Sequence, residues 1–147
     1  MTANERYYFP IQVRYADTDA QGHVFFGNYF TYFDEAAGGY FRAVGFPWEK
    51  LPEMGLDIFY VDAQCQYKGS ARYGERLRVY ARAERIGNTS LTIGCRITPE
   101  GDEATIAEGR ITAVIVNPQT RRPARLPDAL RQAIAAFEKD NGDNDDH

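Results

Sequence analysis

The chain has 147 residues, 44% hydrophobic, 26% charged and 14% aromatic, with a formal net charge of -4. That length fits one globular domain with little room for a second, and the acidic balance argues against a general nucleic-acid-binding surface. No apolar signal region opens the sequence and no apolar run is long enough to span a membrane, so a cytoplasmic protein is expected.

The acidity is uneven. Residues 140–147 are nearly all Asp, Asn and Gly, which predicts a disordered tail after a single domain at 1–139. Without the tail the body is close to neutral and can still hold an anionic ligand. Cys65 and Cys95 fall in apolar strand patterns and read as buried structural thiols. No cluster has metal-ligand spacing.

In chain order, residues 7–15 predict a first strand, with Pro10 marking an edge or bulge. A turn containing Gly22 follows. Tyr29, Phe30, Phe33, Ala36, Ala37, Tyr40, Phe41 and Val44 then recur at spacings of three and four, which predicts a helix over 29–44. Asn28 reads as its N-cap, and Gly45 followed by Pro47 as its stop. The Gly38-Gly39 pair inside it costs about 1 kcal/mol per glycine relative to Ala. Either a close neighbour requires it, or the helix tolerates it.

Beyond the helix the period changes to two. Phe59, Val61, Ala63, Cys65 and Tyr67 alternate with mixed residues, and similar runs begin at Leu77, Leu91 and Ala107. Gly87-Asn88 and Gly101-Asp102 suit tight turns between them. These runs predict four sequentially antiparallel strands, with a final helix over 128–139. One strand, one long apolar helix and four strands pack most simply as an α+β sheet curled around the helix.

The chemistry concentrates between the first strand and the helix. A helix start presents unpaired N–H groups and the positive end of the dipole, which suits a carbonyl becoming an oxyanion. A carboxylate a few residues earlier can attack that carbonyl or activate water. Asp19 is so placed. Asp17 reads as a loop-ordering residue that bonds backbone N–H groups, Gly22 as the turn's conformational freedom, and Glu35 as a solvated or interface carboxylate on the helix's polar face.

The run Tyr15-x-Asp17-Thr18-Asp19-x-x-Gly22-His23-Val24, with Asn28-Tyr29 at the helix start, resembles the signature of the 4-hydroxybenzoyl-CoA thioesterase family of hotdog-fold proteins. The similarity extends through Phe33-Asp34-Glu35-Ala36, the four later strands, and Asn117-Pro118 to Arg125-Leu126-Pro127. It implies a hotdog fold, in which a five-stranded antiparallel sheet wraps one long helix and a short C-terminal helix follows. It also implies hydrolysis of an acyl-CoA thioester. Asp19 matches the family's catalytic carboxylate, as nucleophile or general base, and the Phe26 backbone N–H matches its carbonyl donor. His23 is expected in the catalytic group with Asp19 and Phe26; its position also accepts Val or Ile, so it orients Asp19 or contacts substrate rather than being a required general base. Gly22, Val24 and Tyr29 are expected on the substrate side.

The CoA phosphates need cations. Lys68, Arg72, Arg85, Arg121, Arg122 and Arg125 are candidates. The family's basic turn between the middle strands is neutral here, at 86–90, which shifts the expectation to Arg121 and Arg122. No cofactor is implied, since coenzyme A is part of the substrate. The resemblance also implies a homodimer or homotetramer with sites at the subunit boundary. The acyl group is expected to be aromatic or short to medium. A hydratase acting on an enoyl-CoA, and a module that binds acyl-CoA without cleaving it, are the alternatives.

Overall fold

The computed structural model describes residues 5–145, with side chains through 139. Strand β1 is Tyr8–Gln12, helix α1 Asn28–Val44 and a one-turn helix α2 Lys50–Glu53. Strands β2 Asp57–Tyr67, β3 Arg76–Ile86, β4 Ser90–Pro99 and β5 Ala107–Asn117 follow, then a two-residue strand β6 Arg122–Pro123 and helix α3 Asp128–Asp145. All pairings are antiparallel, and the sheet order is β1-β3-β4-β5-β2, with β6 beside β5. This is the expected five-stranded sheet curled around one long helix, with β6 added.

The order corrects one expectation. The four later strands do not pair in sequence. β3, β4 and β5 form a meander, while β2 crosses to the far edge and pairs with β5 from Asp57↔Val116 to Tyr67↔Ala107. A bulge at Val61, between Tyr60 and Asp62, also shifts the strand's phase by one residue. Ile58 and Tyr60 therefore share a face with Ala63, Cys65 and Tyr67, and the continuous alternation from Phe59 to Tyr67 is broken. β1 is also shorter than 7–15, because the chain turns into a 3-10 turn at Tyr15–Asp17.

Helix α1 buries Tyr29, Tyr32, Phe33, Ala36, Ala37, Tyr40 and Phe41 against Leu77, Val79, Ala81, Leu91, Ile93, Ile97, Ile111 and Ile115. Phe30 and Val44, predicted on the same face, pack at its margin. Gly45 ends the helix in the left-handed conformation, φ 95°, as expected. Asn28 is not its N-cap. Gly27 holds that position without a side-chain cap, and the Asn28 amide is engaged elsewhere. Helix α3 runs to Asp145, beyond the expected end at Lys139 and into the segment expected to be a disordered tail. No proline interrupts it, and extending an existing helix costs far less than starting one. Residues 146 and 147 of that tail lie outside the described residues.

The two interior glycines have different grounds. A Cβ on Gly39 would collide with the Tyr7 hydroxyl and lie 2.9 Å from the Phe9 ring, so this glycine lets β1 and the residue before it lie flat on the helix. A Cβ on Gly38 would meet nothing nearer than Arg42, at 3.8 Å. Gly39→Ala is therefore expected to destabilise the fold by about 1–3 kcal/mol, whereas Gly38→Ala stabilises it by about 1 kcal/mol. Urea denaturation of the two variants checks the opposite signs.

Candidate active site

Between β1 and α1 the chain folds into a small hairpin. The Phe25 N–H donates to the Asp17 carbonyl and the Asp19 N–H to that of His23, each at 2.9 Å, and Thr18 bridges Val24. The turn is closed by the Gly22 N–H donating to the Asp19 carbonyl at 2.9 Å, with Gly22 at φ 88°. That angle is why a glycine is needed there.

The hairpin is anchored by Asp17, which is 4% exposed. Its carboxylate accepts from the Arg14 N–H at 3.0 Å, the Arg14 guanidinium at 2.9 and 3.4 Å, and the Tyr32 hydroxyl at 2.9 Å. Its carbonyl accepts from Phe25 and from the Asn28 side-chain amide at 2.9 Å. Burial pushes the Asp17 carboxyl up, but the bonds from Arg14 and Tyr32 outweigh it and hold Asp17 below its ordinary 3.8. Burial, then the bond to Asp17, raises Tyr32 and keeps its hydroxyl a donor. The loop-ordering role expected of Asp17 is thus carried by its side chain and main chain together, and Tyr32 is a partner the sequence reading missed.

These bonds set the aim of one peptide. The Phe25 carbonyl accepts the Asn28 N–H at 2.9 Å. In a trans peptide the carbonyl and the following N–H point in opposite directions, so the Phe26 N–H points away from the turn. Among the described residues it meets no acceptor. Tyr67, from the end of β2, donates its hydroxyl to the Phe26 carbonyl at 2.9 Å and fixes the next peptide as well. Periodicity could not find Tyr67, because the contact depends on where β2 pairs.

Asp19 stands at the turn, its side chain 27% exposed. One carboxylate oxygen accepts the Gln21 N–H at 2.9 Å. The other lies 3.9 Å from His23 Nδ1, beyond a hydrogen bond, so in this conformation His23 neighbours Asp19 without gripping it. Phe25, Phe26 and Tyr67, which are 45%, 62% and 43% exposed, make an open aromatic wall beside the hairpin. Glu35 is exposed, as expected.

Other expected site residues lie elsewhere. Val24 and Tyr29 are core residues, 3% and 2% exposed. Val24 is held where its N–H bonds the Ala71 carbonyl at 2.8 Å. The Tyr29 ring packs edge-on against Tyr32 and Tyr67, and its buried hydroxyl lies by the Ala71 main chain. Arg121 and Arg122 lie beyond Asn117, whereas β5 meets Tyr67 at Ala107. Ten residues of strand, roughly 33 Å, separate them from this chain's own hairpin. Arg72 is near: its guanidinium lies 3.5 Å from where a Cβ on Gly22 would be. Both cysteines are free. Cys95 is buried as expected, and Cys65 is only partly so. Among the described residues no cluster could hold a metal, and no helix is long and apolar enough to cross a membrane.

A family model described as the thioesterase-like superfamily matches residues 13–134, and the chain belongs to that superfamily. An Aquifex aeolicus protein assigned as an esterase is 38% identical over 81 residues, 55% of this chain and 63% of that one. The match therefore spans less than two thirds of that relative. An acyl-CoA thioester hydrolase of Escherichia coli O6:H1 is 24% identical, with 89% of this chain and 95% of that one covered. Among solved structures, a gentisyl-coenzyme A thioesterase superimposes with a TM-score of 0.78 at 26% identity, covering 88% of this chain and all of that one. Fold and family together define a hotdog protein of the thioester-hydrolase class.

The Asp17 anchor has a pH signature. A carboxyl lowered on folding contributes stability that is full above its unfolded value and lost as pH falls through the folded one. Asp17→Asn is expected to be less stable than the parent at pH 7, with the difference shrinking as pH falls below 3.8. Denaturation midpoints from pH 7 to about 2.5 check it, and a pH-independent difference contradicts it.

Proposed function

We propose that this thioester hydrolase cleaves the thioester of an aromatic or short-to-medium acyl-CoA, giving the free acid and CoA. The observation that carries this reading is the Phe26 N–H, held outward at the start of α1 with no acceptor among the described residues, in the same hairpin as the half-exposed Asp19. The thioester carbonyl accepts from that N–H, and the helix dipole adds to the polarisation. Asp19 attacks the carbonyl carbon or takes a proton from the water that does so. Charge then builds on an oxygen whose donor is already in place, and collapse expels the CoA thiolate; where Asp19 attacked directly, water then cleaves the mixed anhydride to the free acid and restores the carboxylate. His23 stands beside Asp19, its Nδ1 3.9 Å from the carboxylate, where it orients Asp19 or contacts substrate.

The acyl preference rests on the wall of Phe25, Phe26 and Tyr67, which suits a planar or modest apolar group. Two of the matched proteins, named for gentisyl-CoA and 1,4-dihydroxy-2-naphthoyl-CoA, have aromatic acyl groups. The same features support, as part of this proposal, membership of the 4-hydroxybenzoyl-CoA branch of the superfamily. The two free thiols suit the cytoplasm.

A homodimer is part of the proposal, with pairing into a tetramer as its extension. β2 ends the sheet, and its outer edge carries exposed Phe59 and Val61, a surface that commonly marks an interface. Two-fold pairing of β2 with its copy runs the strands antiparallel. The Asp57 end of one then lies against the Tyr67 end of the other. Because Asp57 pairs Val116 and Arg122 pairs Asn117, a partner's Arg121 and Arg122 approach this chain's hairpin. That restores them as phosphate contacts across the boundary.

The test is a panel of aromatic, short and long acyl-CoAs with a free-thiol readout, on the parent and Asp19→Asn. Turnover is expected to fall by more than about a hundredfold with an unchanged melting temperature. Retained activity removes the mechanism. Loss of an enoyl-CoA's conjugation without thiol release would favour the hydratase reading.

A further inference from the structure

Beside the hairpin, two tyrosines stand out of the surface. Tyr15 is 77% exposed and Tyr73 65%, and their rings meet edge to face, 6.0 Å between centroids at 89°. Scattered exposed aromatics are ordinary, but two rings at right angles form a corner with bare π faces. Gln12, Val13, Arg14 and Gly74 complete a hollow of about 450 Å³, within the range of small-ligand sites. Its floor is paired backbone: the Val13 N–H donates to the Glu75 carbonyl and the Gly74 N–H to the Val13 carbonyl, both at 2.9 Å. The hollow is therefore preformed.

One guanidinium group, that of Arg14, lines it. The Arg14 side chain is 73% exposed while its inner side is tied to Asp17. Arg72 adjoins Tyr73 in sequence, and its guanidinium reaches back to Gly22 of the Asp19 turn. Flat ring faces hold a nucleobase of any sequence by stacking, and guanidinium groups bind phosphates through two parallel N–H donors.

We propose that the Tyr15–Tyr73 corner stacks the purine of an adenine nucleotide, with Arg72 and the outer side of Arg14 on its phosphates. The proposal rests on the acyl-CoA reading, which supplies such a nucleotide at the far end of the substrate. Four residues separate Tyr15 from Asp19, at most about 14 Å of chain, so one ligand reaches from thioester to corner. A free adenine nucleotide offers the same chemistry, and the experiment separates the two sources.

Steady-state kinetics are compared for an acyl-CoA and the same acyl group on pantetheine, which lacks the nucleotide. The proteins are the parent, a Tyr15→Ala/Tyr73→Ala double variant and Arg72→Gln. Calorimetry measures binding of adenosine 3′,5′-bisphosphate to each, and circular dichroism checks that each is folded. The double variant is expected to raise KM for acyl-CoA about tenfold, leave kcat and the pantetheine ester unchanged, and lose bisphosphate binding. Bisphosphate competing with acyl-CoA identifies the substrate's own nucleotide, and binding without competition identifies a free one; both support the site. Equal changes for both esters, or unaltered KM and bisphosphate binding in folded variants, overturn it. Should the parent cleave no thioester, the hydrolase reading fails, and calorimetry alone still decides the nucleotide site.

Discussion

A buried carboxylate cannot stand alone in a protein interior. It must be met by charge or by enough hydrogen-bond donors. Asp17 meets that demand with Arg14 from the strand end and Tyr32 from the first turns of α1. Because its donors come from two elements, satisfying Asp17 fixes the strand end against the helix. Its carbonyl does the same for Phe25 and Asn28. The hairpin between these anchors has little freedom left, and the direction of the Phe26 N–H follows from it. An oxyanion donor fixed before substrate arrives costs no reorganisation during reaction, which is the link from a structural ion pair to proposed catalysis.

This division of labour explains why the motif holds two carboxylates of unlike environment. Asp17 is buried and fully engaged, and so unsuited to chemistry. Asp19, two residues on, is half-exposed, with one oxygen bonded to Gln21 and the other facing His23. The hairpin places the first in the core and the second in the opening.

Much of this was legible in the sequence, for local reasons. The apolar stripe of α1, the left-handed stop at Gly45, the turn at Gly22 and the order Asp17, Asp19, Phe26 all depend on residues close in the chain. What escaped depends on contacts distant in sequence. β2 carries the same period-two pattern whether it pairs with β3 or with β5, and the Val61 bulge reverses its phase without a local mark. Tyr67 becomes a support of the Phe26 peptide only once that pairing is known. Nothing in the local sequence tells that Arg121 and Arg122 lie at the far end of β5 from this chain's own hairpin, because that follows from strand register. The motif carries Val24 and Tyr29 as well, and their apolar bulk packs into the core, as the helical stripe predicts for Tyr29.

The proposed catalysis requires a thioester carbonyl between the Phe26 N–H and the Asp19 carboxylate. A crystal structure with an uncleavable acyl-CoA analogue, with a methylene in place of sulfur, tests it directly. The ketone oxygen is expected within hydrogen-bond distance, about 2.7–3.2 Å, of the Phe26 nitrogen, with Asp19 or a water it holds facing the carbonyl carbon. An analogue bound with its carbonyl away from the start of α1, and Asp19 turned to bulk solvent, contradicts it.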